Sequence, residues 1–399
     1  MNESTGKLFD EDAYLTEFTA GVLSCETFGD GYRVVLDRTA FFPEAGGQTS
    51  DRGALVCDGT EAQVRDVQID EESGRILHLT DKALPEGGTA TGRIDWTHRF
   101  DNMQQHSGEH IFSGLLCGKY SCDNVGFHLS DQTVTMDYNR ACTAQEIAAI
   151  EQEVNEVIWK NLPIEISFPT GAELEKLTYR SKKELSGRIR IVTIPGVDVC
   201  ACCAPHVRHT GEIGLLKVLS VQNYKGGIRV TIACGKRAFD HLSGQSDTLS
   251  GMAKELSTAP EEVPGQLARL RRELTDCRRR MAVYCESVLL NRLRTEPAIS
   301  FRDERAAVLF DAEADAQAAR RAVNARLEEQ DGLVLVFLGD DETGYQYLIG
   351  VGGDHADARI PAKLLGEKLG GRGGGSREMT QGRVDAAREL ILETLKHVD

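Results

Sequence analysis

Two short pairs of histidine and cysteine constrain the fold of this 399-residue chain most strongly. His106 and His110 are four residues apart in a segment with helical apolar spacing, and Cys202 and His206 repeat that interval far along the chain. Residues i and i+4 project from one face of a helix, so both imidazoles can reach one ion. Three imidazoles and one thiolate satisfy tetrahedral Zn²⁺. A fold that binds zinc must therefore bring the two pairs together.

The four predicted ligands leave the kind of zinc site open. A structural zinc ion is closed by four protein ligands, whereas a catalytic one keeps a position for water or substrate. The segment His106-Ser107-Gly108-Glu109-His110 also matches H-x-x-E-H, the inverted zincin signature, in which Glu109 would be the general base of a metallopeptidase. Zincins do not use a Cys-x-x-x-His pair, which argues against that interpretation.

Charge and cysteine usage narrow the class of protein. The net charge of −16 argues weakly against indiscriminate nucleic-acid binding, although six arginines between residues 269 and 280 allow a local basic face. The acidic N-terminus does not read as a signal peptide, and no stretch approaches the roughly 18 apolar residues of a membrane span. The 11 scattered cysteines do not form a disulfide framework. A cytoplasmic location is expected.

The pattern of apolar, polar and turn residues along the sequence predicts an α+β protein in four parts. Residues 1–95 alternate short apolar runs with Gly and Asp turns, which favours a small β-barrel. Residues 96–240 mix strands with amphipathic helices, one of them after the capping box Thr143–Glu146, and carry the zinc ligands. Residues 241–300 predict a helical linker, and residues 301–399 an α/β domain with a glycine run.

The linker carries an apolar repeat with alternating steps of four and three, which is a heptad seam. It favours either a long helix that packs on its own domain or a coiled coil that dimerises. The seam consists of Val263, Leu267, Leu270, Leu274, Cys277, Met281, Tyr284 and Val288.

Five segments together resemble a known family. FFPEAGGQTSDRG (41–53), RFDNMQQHSGEH (99–110), VGFHLSDQTVTMDY (125–138) and CCAPHVRHTGEIG (202–214) resemble the editing domain of alanyl-tRNA synthetase, and even more its free-standing AlaX relatives. GGRGGGSREMTQG (370–382) resembles the DHHA1 domain that ends both alanyl-tRNA synthetases and long AlaX proteins. Where the family usually has Cys-Gly-Gly-Thr-His, this chain has CCAPH, so Cys203 is a second candidate thiol.

The resemblance implies a β-barrel, a zinc-binding editing core, a coiled-coil linker and a DHHA1-like domain for tRNA binding and self-association. It maps the zinc ligands onto the two pairs above and implies catalytic roles for Ser107, Gln48 and Cys202. The residues implied to bind the substrate are Gly46, Gly47, Gln48, Ser107 and His128. Those implied to contact tRNA are Arg372, Gly373, Gly374 and Arg377.

The function implied is a zinc-dependent trans-editing hydrolase that deacylates Ser-tRNA(Ala) or Gly-tRNA(Ala). Zinc would orient the ester for attack by water, and a polar pocket near Ser107 and Gln48 would select a substrate hydroxyl. A homodimer through the heptad helix and the C-terminal domain is a further expectation.

Other functions remain open. A non-catalytic, zinc-containing protein that binds tRNA or dimerises would keep the metal structurally. A full synthetase is not expected, because the sequence lacks ATP-binding motifs ahead of the barrel. A phosphoesterase would need an Asp-His-His motif, for which Asp354-His355-Ala356-Asp357 is a poor substitute.

Overall fold

The computed structural model describes residues 4–181, 188–302, 304–353 and 357–396. The chain divides into two compact units, Met1–Thr248 (unit 1) and Leu249–Asp399 (unit 2). Across the described ranges, no helix has the length and apolar character needed to cross a membrane. The mixed α+β class predicted from the sequence is confirmed.

Unit 1 begins with a closed six-stranded barrel, as predicted. Short helix α1 (Leu8–Glu11) precedes the barrel, and the strand order around it is β2-β3-β7-β6-β5-β8. Side chains alternate along each strand, so one face fills the barrel interior with residues such as Val34, Leu36 and Leu55. The strands of this region are β1 (Gly6–Lys7), β2 (Glu17–Phe28), β3 (Gly31–Leu36), β4 (Arg38–Thr39), β5 (Gly53–Cys57), β6 (Thr60–Ile69), β7 (Ile76–Thr80) and β8 (Thr89–Ile94).

Helix α2 (Trp96–Tyr120) leads directly out of the barrel and contains the first histidine pair. Asp95 caps its N-terminus by accepting a hydrogen bond from the backbone N–H of His98 at 3.2 Å. Ser121, in the left-handed conformation, ends it. The helical periodicity seen over residues 99–117 is therefore confirmed and slightly extended.

The rest of unit 1 packs two sheets and one longer helix, α3, against α2. One sheet has the order β14-β15-β10-β9 and the other β11-β12-β13. The capping box of Thr143 and Glu146 forms as predicted at the start of α3. The elements are β9 (Asn124–Leu129), β10 (Val134–Tyr138), α3 (Ala144–Trp159), β11 (Glu165–Ser167), α4 (Gly171–Leu174), β12 (Ile191–Ile194), β13 (Asp198–Ala201), a 3-10 turn (Thr210–Ile213), β14 (Leu216–Tyr224), β15 (Gly227–Cys234) and α5 (Gly235–Glu255).

Unit 2 is a six-stranded sheet with helices. The strand order is β16-β17-β18-β19-β21-β20, and among the described pairs of this sheet only β17 and β18 run parallel. Its elements are a 3-10 turn (Pro260–Glu262), α6 (Val263–Thr295), β16 (Ile299–Phe301), β17 (Glu304–Asp311), α7 (Ala316–Glu329), β18 (Gly332–Asp340), β19 (Gly344–Gly352), α8 (Arg359–Leu369), β20 (Arg372–Gly375), β21 (Met379–Val384) and α9 (Arg388–Lys396).

The heptad segment forms one continuous helix, α6. Its C-terminal turns pack into unit 2, where Leu289 and Leu293 are buried. The seam positions from Leu267 to Val288 are exposed, for example Leu274 at 53% and Tyr284 at 67%, whereas the first position, Val263, is buried. From Leu267 onward the seam is thus not the face by which this helix packs on its own unit. The coiled coil and the four-part division of the chain stay predictions.

Candidate metal centre

Four side chains from two distant segments meet in the interior of unit 1. The ligand atoms of His106, His110, Cys202 and His206 all lie within 4.8 Å of one another. The three histidines are buried, and Cys202 is partly exposed. Helix α2 supplies the first pair, and the turn after β13 supplies the second. The structure therefore brings together the four residues predicted as zinc ligands.

A glycine between the two helical histidines allows the core sheet to approach α2 closely. A Cβ atom on Gly108 would lie 2.3 Å from Sγ of Cys234 in β15, well inside van der Waals contact. The main chain of β15 is fixed there by Gln105, which bonds both the N–H and the carbonyl oxygen of Cys234. The first ligand pair is thereby held rigidly on the sheet.

Arg190 holds the turn that carries the second ligand pair. Its Nη1 donates to the carbonyl oxygens of Cys202 and Ala204, each at 2.8 Å. Ala204 is fully buried in the barrel core cluster, so the turn is fixed from both sides. The Cys203 side chain is exposed and is outside the ligand cluster. Cys202, and not its neighbour, supplies the sulfur.

Each imidazole of the cluster has its Nδ1 atom in a hydrogen bond. His106 Nδ1 lies 2.8 Å from Oε1 of Gln48, and His110 Nδ1 lies 3.0 Å from Oδ2 of Asp198. His206 Nδ1 lies 3.0 Å from Oγ of Ser107. All three partners are at most 6% exposed.

The Gly-Gly-Gln turn reaches the cluster from the barrel side. Gly46 and Gly47 have φ angles of 62° and 84°, and a Cβ on Gly47 would lie 2.4 Å from the carbonyl oxygen of Phe127. The turn is fixed on β9, because Leu129 N–H donates to the Gly47 carbonyl at 2.7 Å. The Phe127 ring also packs on His106, with centroids 4.7 Å apart.

The electrostatics of the cluster suit a cation with soft and imidazole ligands. Burial, together with His110 and His106, lowers the pKa of His206 well below its usual value, so its imidazole is neutral. Burial raises the pKa of the Cys202 thiol and outweighs Arg190, which lowers it; a bound cation would favour the thiolate. Burial also raises the pKa of Asp198, but hydrogen bonds from His110 and Arg180 outweigh it and lower that pKa overall. The donor set fits Zn²⁺.

A buried ion pair joins α2 to the barrel beside the same turn. Arg99 is fully buried and bonds Asp51 through both Nε and Nη2. Its remaining donors reach the carbonyl oxygens of Ala13 at 2.8 Å and Ala40 at 2.6 Å. Asp51 follows the Gly-Gly-Gln turn, so this pair fixes the base of the turn relative to α2.

Glu109 lies on the inner side of α2. One carboxylate oxygen accepts hydrogen bonds from Ser113 Oγ and Asn124 Nδ2, each at 2.7 Å, and the other lies 3.8 Å from Nε2 of His110. The residue is 1% exposed. Its predicted role as the base of a peptidase stays untested.

The remaining predicted site residues lie apart from the cluster. His128 is exposed on β9, and Arg372, Gly373 and Gly374 form the exposed edge strand β20 of unit 2. A cleft of about 500 Å³ in unit 2 is lined by several polar residues, among them Arg372, Arg320, Arg383 and Gln381. Arg377 follows β20 in the turn before β21. Residues 354–356 of the Asp354-His355-Ala356-Asp357 segment lie outside the described residues.

Sequence reasoning did not identify Asp198, Arg180, Arg190 or Phe127 as parts of this centre. Asp198 precedes Cys202 by four residues, which was the available signal for a carboxylate near the ligands. Arg180 and Arg190 carry no such signal, because their roles depend on tertiary packing.

Two families match parts of unit 1. Residues 13–98 match the class II (A) tRNA synthetases, and residues 189–231 match the second additional domain of threonyl- and alanyl-tRNA synthetases. The first match contains the Gly-Gly-Gln turn, and the second contains Cys202 and His206.

Individual relatives match nearly the whole chain. The "Alanyl-tRNA editing protein AlaX-L" of Pyrococcus horikoshii is 28% identical over 97% of this chain and 96% of its own length. "Alanine--tRNA ligase" of Pyrobaculum neutrophilum is 30% identical over 98% of this chain and 44% of its own. That of Archaeoglobus fulgidus is 32% identical with the same coverages. The chain thus spans less than half the length of the ligases that it matches.

A solved structure also matches, the C-Ala domain of Aquifex aeolicus alanyl-tRNA synthetase, at 21% identity over 25% of this chain and 98% of that domain. Its TM-score of 0.21 is too low to establish a shared fold. The sequence matches confirm the resemblance read from the motifs: the chain is a homologue of the AlaX-type alanyl-tRNA editing proteins and of the corresponding part of alanyl-tRNA synthetases.

Proposed function

We propose that this chain is a zinc-dependent trans-editing hydrolase that deacylates Ser-tRNA(Ala) or Gly-tRNA(Ala). The observation that supports this most is the set of three buried histidines and one partly exposed cysteine beside the Gly-Gly-Gln turn. The name of one relative, an alanyl-tRNA editing protein, supports the same reaction class, and the names of the alanine–tRNA ligases support tRNA as the partner.

His106, His110, His206 and Cys202 would hold the zinc ion. When bound, zinc supplies Lewis-acid polarisation of the ester carbonyl. Cys202 is the only one of the four that is partly exposed, so we expect the aminoacyl ester to approach from its side. Ester hydrolysis is intrinsically easy, so orientation and charge stabilisation by these residues can suffice without a strong general base.

Gln48 is the best candidate for contacting the substrate. Its Oε1 accepts from His106, while its Nε2 is buried and has no hydrogen-bond partner among the described residues. A seryl hydroxyl of the substrate could accept from this amide, whereas alanine and glycine offer no side-chain acceptor, so this contact would favour the seryl ester. Ser107 Oγ is already engaged by His206 and by the N–H of Val207 at 3.3 Å. We therefore assign selectivity to Gln48 before Ser107, and we expect Gly46 and Gly47 to approach the substrate beside Gln48, while the substrate-binding role of the exposed His128 stays a prediction.

Unit 2 would supply affinity for tRNA(Ala). Arg372 and Arg320 line its cleft and lie next to the edge strand of Gly373 and Gly374, whose backbone is exposed. Guanidinium groups and free backbone N–H groups suit phosphate contacts, as does the nearby Arg377. The exposed apolar seam of α6 supports homodimer formation through this helix. A cytoplasmic location remains our expectation.

The deciding experiment measures deacylation of Ser-tRNA(Ala), Gly-tRNA(Ala) and Ala-tRNA(Ala) by the zinc-loaded protein and by Cys202→Ala. We expect the wild type to hydrolyse the seryl or glycyl ester in preference to the alanyl ester. The Cys202→Ala variant should lose most of this activity. His209→Ala is the matched control, because His209 is exposed and outside the cluster, and it should keep wild-type rates.

If the zinc-loaded wild type hydrolyses none of the three esters, the proposal is wrong. A non-catalytic protein with structural zinc would show that result together with unfolding of unit 1 when zinc is removed. A catalytic site predicts the reverse, which is loss of activity with the fold retained on removal of zinc.

A further inference from the structure

We infer that Gln48, Asp198 and Ser107 are positioning residues, which orient the three cluster imidazoles for the metal through their Nδ1 atoms. The inference rests on the proposed function, because it presupposes the zinc ion. It also adds two segments to the metal centre, since Gln48 lies in the loop between β4 and β5 and Asp198 lies in β13.

The hydrogen bonds select one tautomer of His106 and His110. A carboxamide oxygen and a carboxylate oxygen can only accept, so Nδ1 of His106 and of His110 carries the proton. The lone pair that a metal needs then lies on Nε2. Nε2 of His106 is 3.5 Å from Sγ of Cys202, and Nε2 of His206 is 3.4 Å from it. The metal-facing nitrogens are thus turned toward the thiol.

Gln48 is fixed for this role by the turn that carries it. Thr49 N–H donates to the Leu129 carbonyl at 3.2 Å, and Leu129 N–H donates to Gly47, so both neighbours of Gln48 are bonded to β9. If the amide were reversed, its NH₂ would face Nδ1 of His106, and the proton would move to Nε2. An imidazole with Nε2 protonated cannot bind the metal there, so only the acceptor orientation is compatible with zinc.

Asp198 is supported by a second buried charge. Arg180 donates to both of its carboxylate oxygens, at 2.7 and 2.8 Å, while Oδ2 also accepts from His110. A carboxylate that accepts from the far nitrogen of a zinc-binding imidazole raises the basicity of that ligand and fixes its ring.

Ser107 links the two ligand pairs. Its neighbour in the chain is His106, and its Oγ accepts from the N–H of Val207 while facing Nδ1 of His206. With one lone pair taken by Val207, Oγ is well placed to accept from His206 as well. A single hydroxyl therefore fixes the position of the second ligand pair relative to the first.

The test is the zinc affinity of the full-length, metal-free protein, measured by competition with a chromophoric chelator. Gln48→Leu and Ser107→Ala should bind Zn²⁺ about 10- to 100-fold more weakly, the range found when such outer partners are removed. Gln48→Glu and Ser107→Thr keep an acceptor at the same place and should restore most of the affinity. With Co²⁺ as probe, all variants should keep the thiolate-to-cobalt band, because Cys202 still binds, while the ligand-field bands shift only in the first two.

The controls separate orientation from folding. Thr49→Val removes a buried hydroxyl from the same turn that has no hydrogen-bond partner among the described residues, and it should keep wild-type affinity. A purely structural role would lower the unfolding midpoint of the metal-free Gln48→Leu and Ser107→Ala variants without changing their zinc affinity. The zinc affinity of Asp198→Asn is interpreted only together with those of Gln48→Leu and Ser107→Ala. The Asp198→Asn change also leaves Arg180 without its carboxylate partner, so its effect is not limited to His110.

Wild-type zinc affinity in both Gln48→Leu and Ser107→Ala would overturn the inference. Its failure is distinguishable from that of the proposed function. If affinities shift as expected but no ester is hydrolysed by the wild type, the hydrolase proposal fails and the positioning roles stand. If the wild type hydrolyses the esters and the zinc affinities of the variants do not shift, the positioning roles fail and the hydrolase proposal stands.

Discussion

The two units of this chain differ in whether their polar side chains are buried or exposed. The buried polar and charged residues of the described chain lie in unit 1, and Thr380 is the one exception in unit 2. The glycine-rich motifs follow the same division. The Gly-Gly-Gln turn adjoins the buried cluster, whereas the glycines of β20 form an exposed edge strand. Unit 1 therefore has many polar and charged side chains in its interior, as an active site requires, whereas unit 2 has an apolar interior with its polar groups at the surface.

The difference indicates where function is expected to reside. A buried polar group must have its partners in place, so each one constrains the geometry around it. A surface arginine constrains little and remains available to a ligand. Mutations of hydrogen-bonded buried polar residues in unit 1 can thus change stability as well as metal binding, while mutations on the surface of unit 2 should alter binding alone.

The largest expected effect compares the two glycine motifs. Gly47→Ala introduces a Cβ at positive φ and 2.4 Å from the carbonyl oxygen of Phe127, so unit 1 should lose roughly 3 kcal/mol of stability. Deacylation should fall with it, because Gln48 would move away from His106. Both tryptophans, Trp96 and Trp159, lie in unit 1, so tryptophan fluorescence during urea unfolding measures this change.

Gly374→Ala is the matched control, because a Cβ on Gly374 meets no atom within 4 Å. It should leave the unfolding of the protein as in the wild type. Equal loss of stability in the two alanine variants would contradict the contrast between the motifs.

An effect of similar or slightly smaller size concerns pH. His78 is buried in the barrel between Thr39 Oγ1 and the Val34 carbonyl, and burial lowers its pKa from 6.5 to about 4. The unfolded chain therefore binds more protons than the folded one between these values. Stability should be full above pH 6.5 and fall by up to about 3 kcal/mol as the pH drops to 4.

The measurement is the free energy of unfolding of unit 1 across that range, in the wild type and in His78→Asn. The variant lacks the titrating group, so it should show a shallower decline, although it is less stable at neutral pH. Parallel pH profiles would show that His78 does not cause the decline. The described part of unit 2 contains no histidine, so no decline in stability from histidine titration is expected from those residues.

The smallest effect tests the surface of unit 2. Arg372→Gln should weaken tRNA binding modestly and reduce the slope of log K against log salt by about one, because one phosphate contact is lost. Filter binding at several salt concentrations measures both quantities. Arg294→Gln is the control, since that guanidinium is already paired with Glu329. An unchanged salt slope in Arg372→Gln would remove Arg372 from the tRNA-binding surface.

Features fixed by local patterns were predictable from the sequence. The period of apolar residues predicted α2, the Thr143–Glu146 spacing predicted the start of α3, and short alternating runs predicted the barrel. The convergence of the two ligand pairs followed from metal chemistry, because four ligands of matching type need one ion.

The contacts that orient those ligands were not predictable. Gln48 and His106 are 58 positions apart, and Arg180 and Asp198 are 18 apart, and no periodicity joins either pair. The resemblance placed Ser107 and Gln48 near the substrate, but it could not show that their oxygens face His206 and His106. Side-chain pairing of this kind depends on how the barrel is seated on the core. The sequence likewise could not predict that the α6 seam is exposed, because its spacing fits a packed helix and a coiled coil equally well.

The buried pair of Arg99 and Asp51 also limits how such a protein can evolve. Arg99 lies at the start of α2, while Asp51 lies in the loop before β5, and without its partner each would be an unpaired charge in the protein interior. Removing one partner of a buried pair costs about 3–5 kcal/mol, which is much of a domain's stability. Substitution of either residue alone should therefore destabilise the contact between the barrel and α2, so changes at these two positions are tolerated only together.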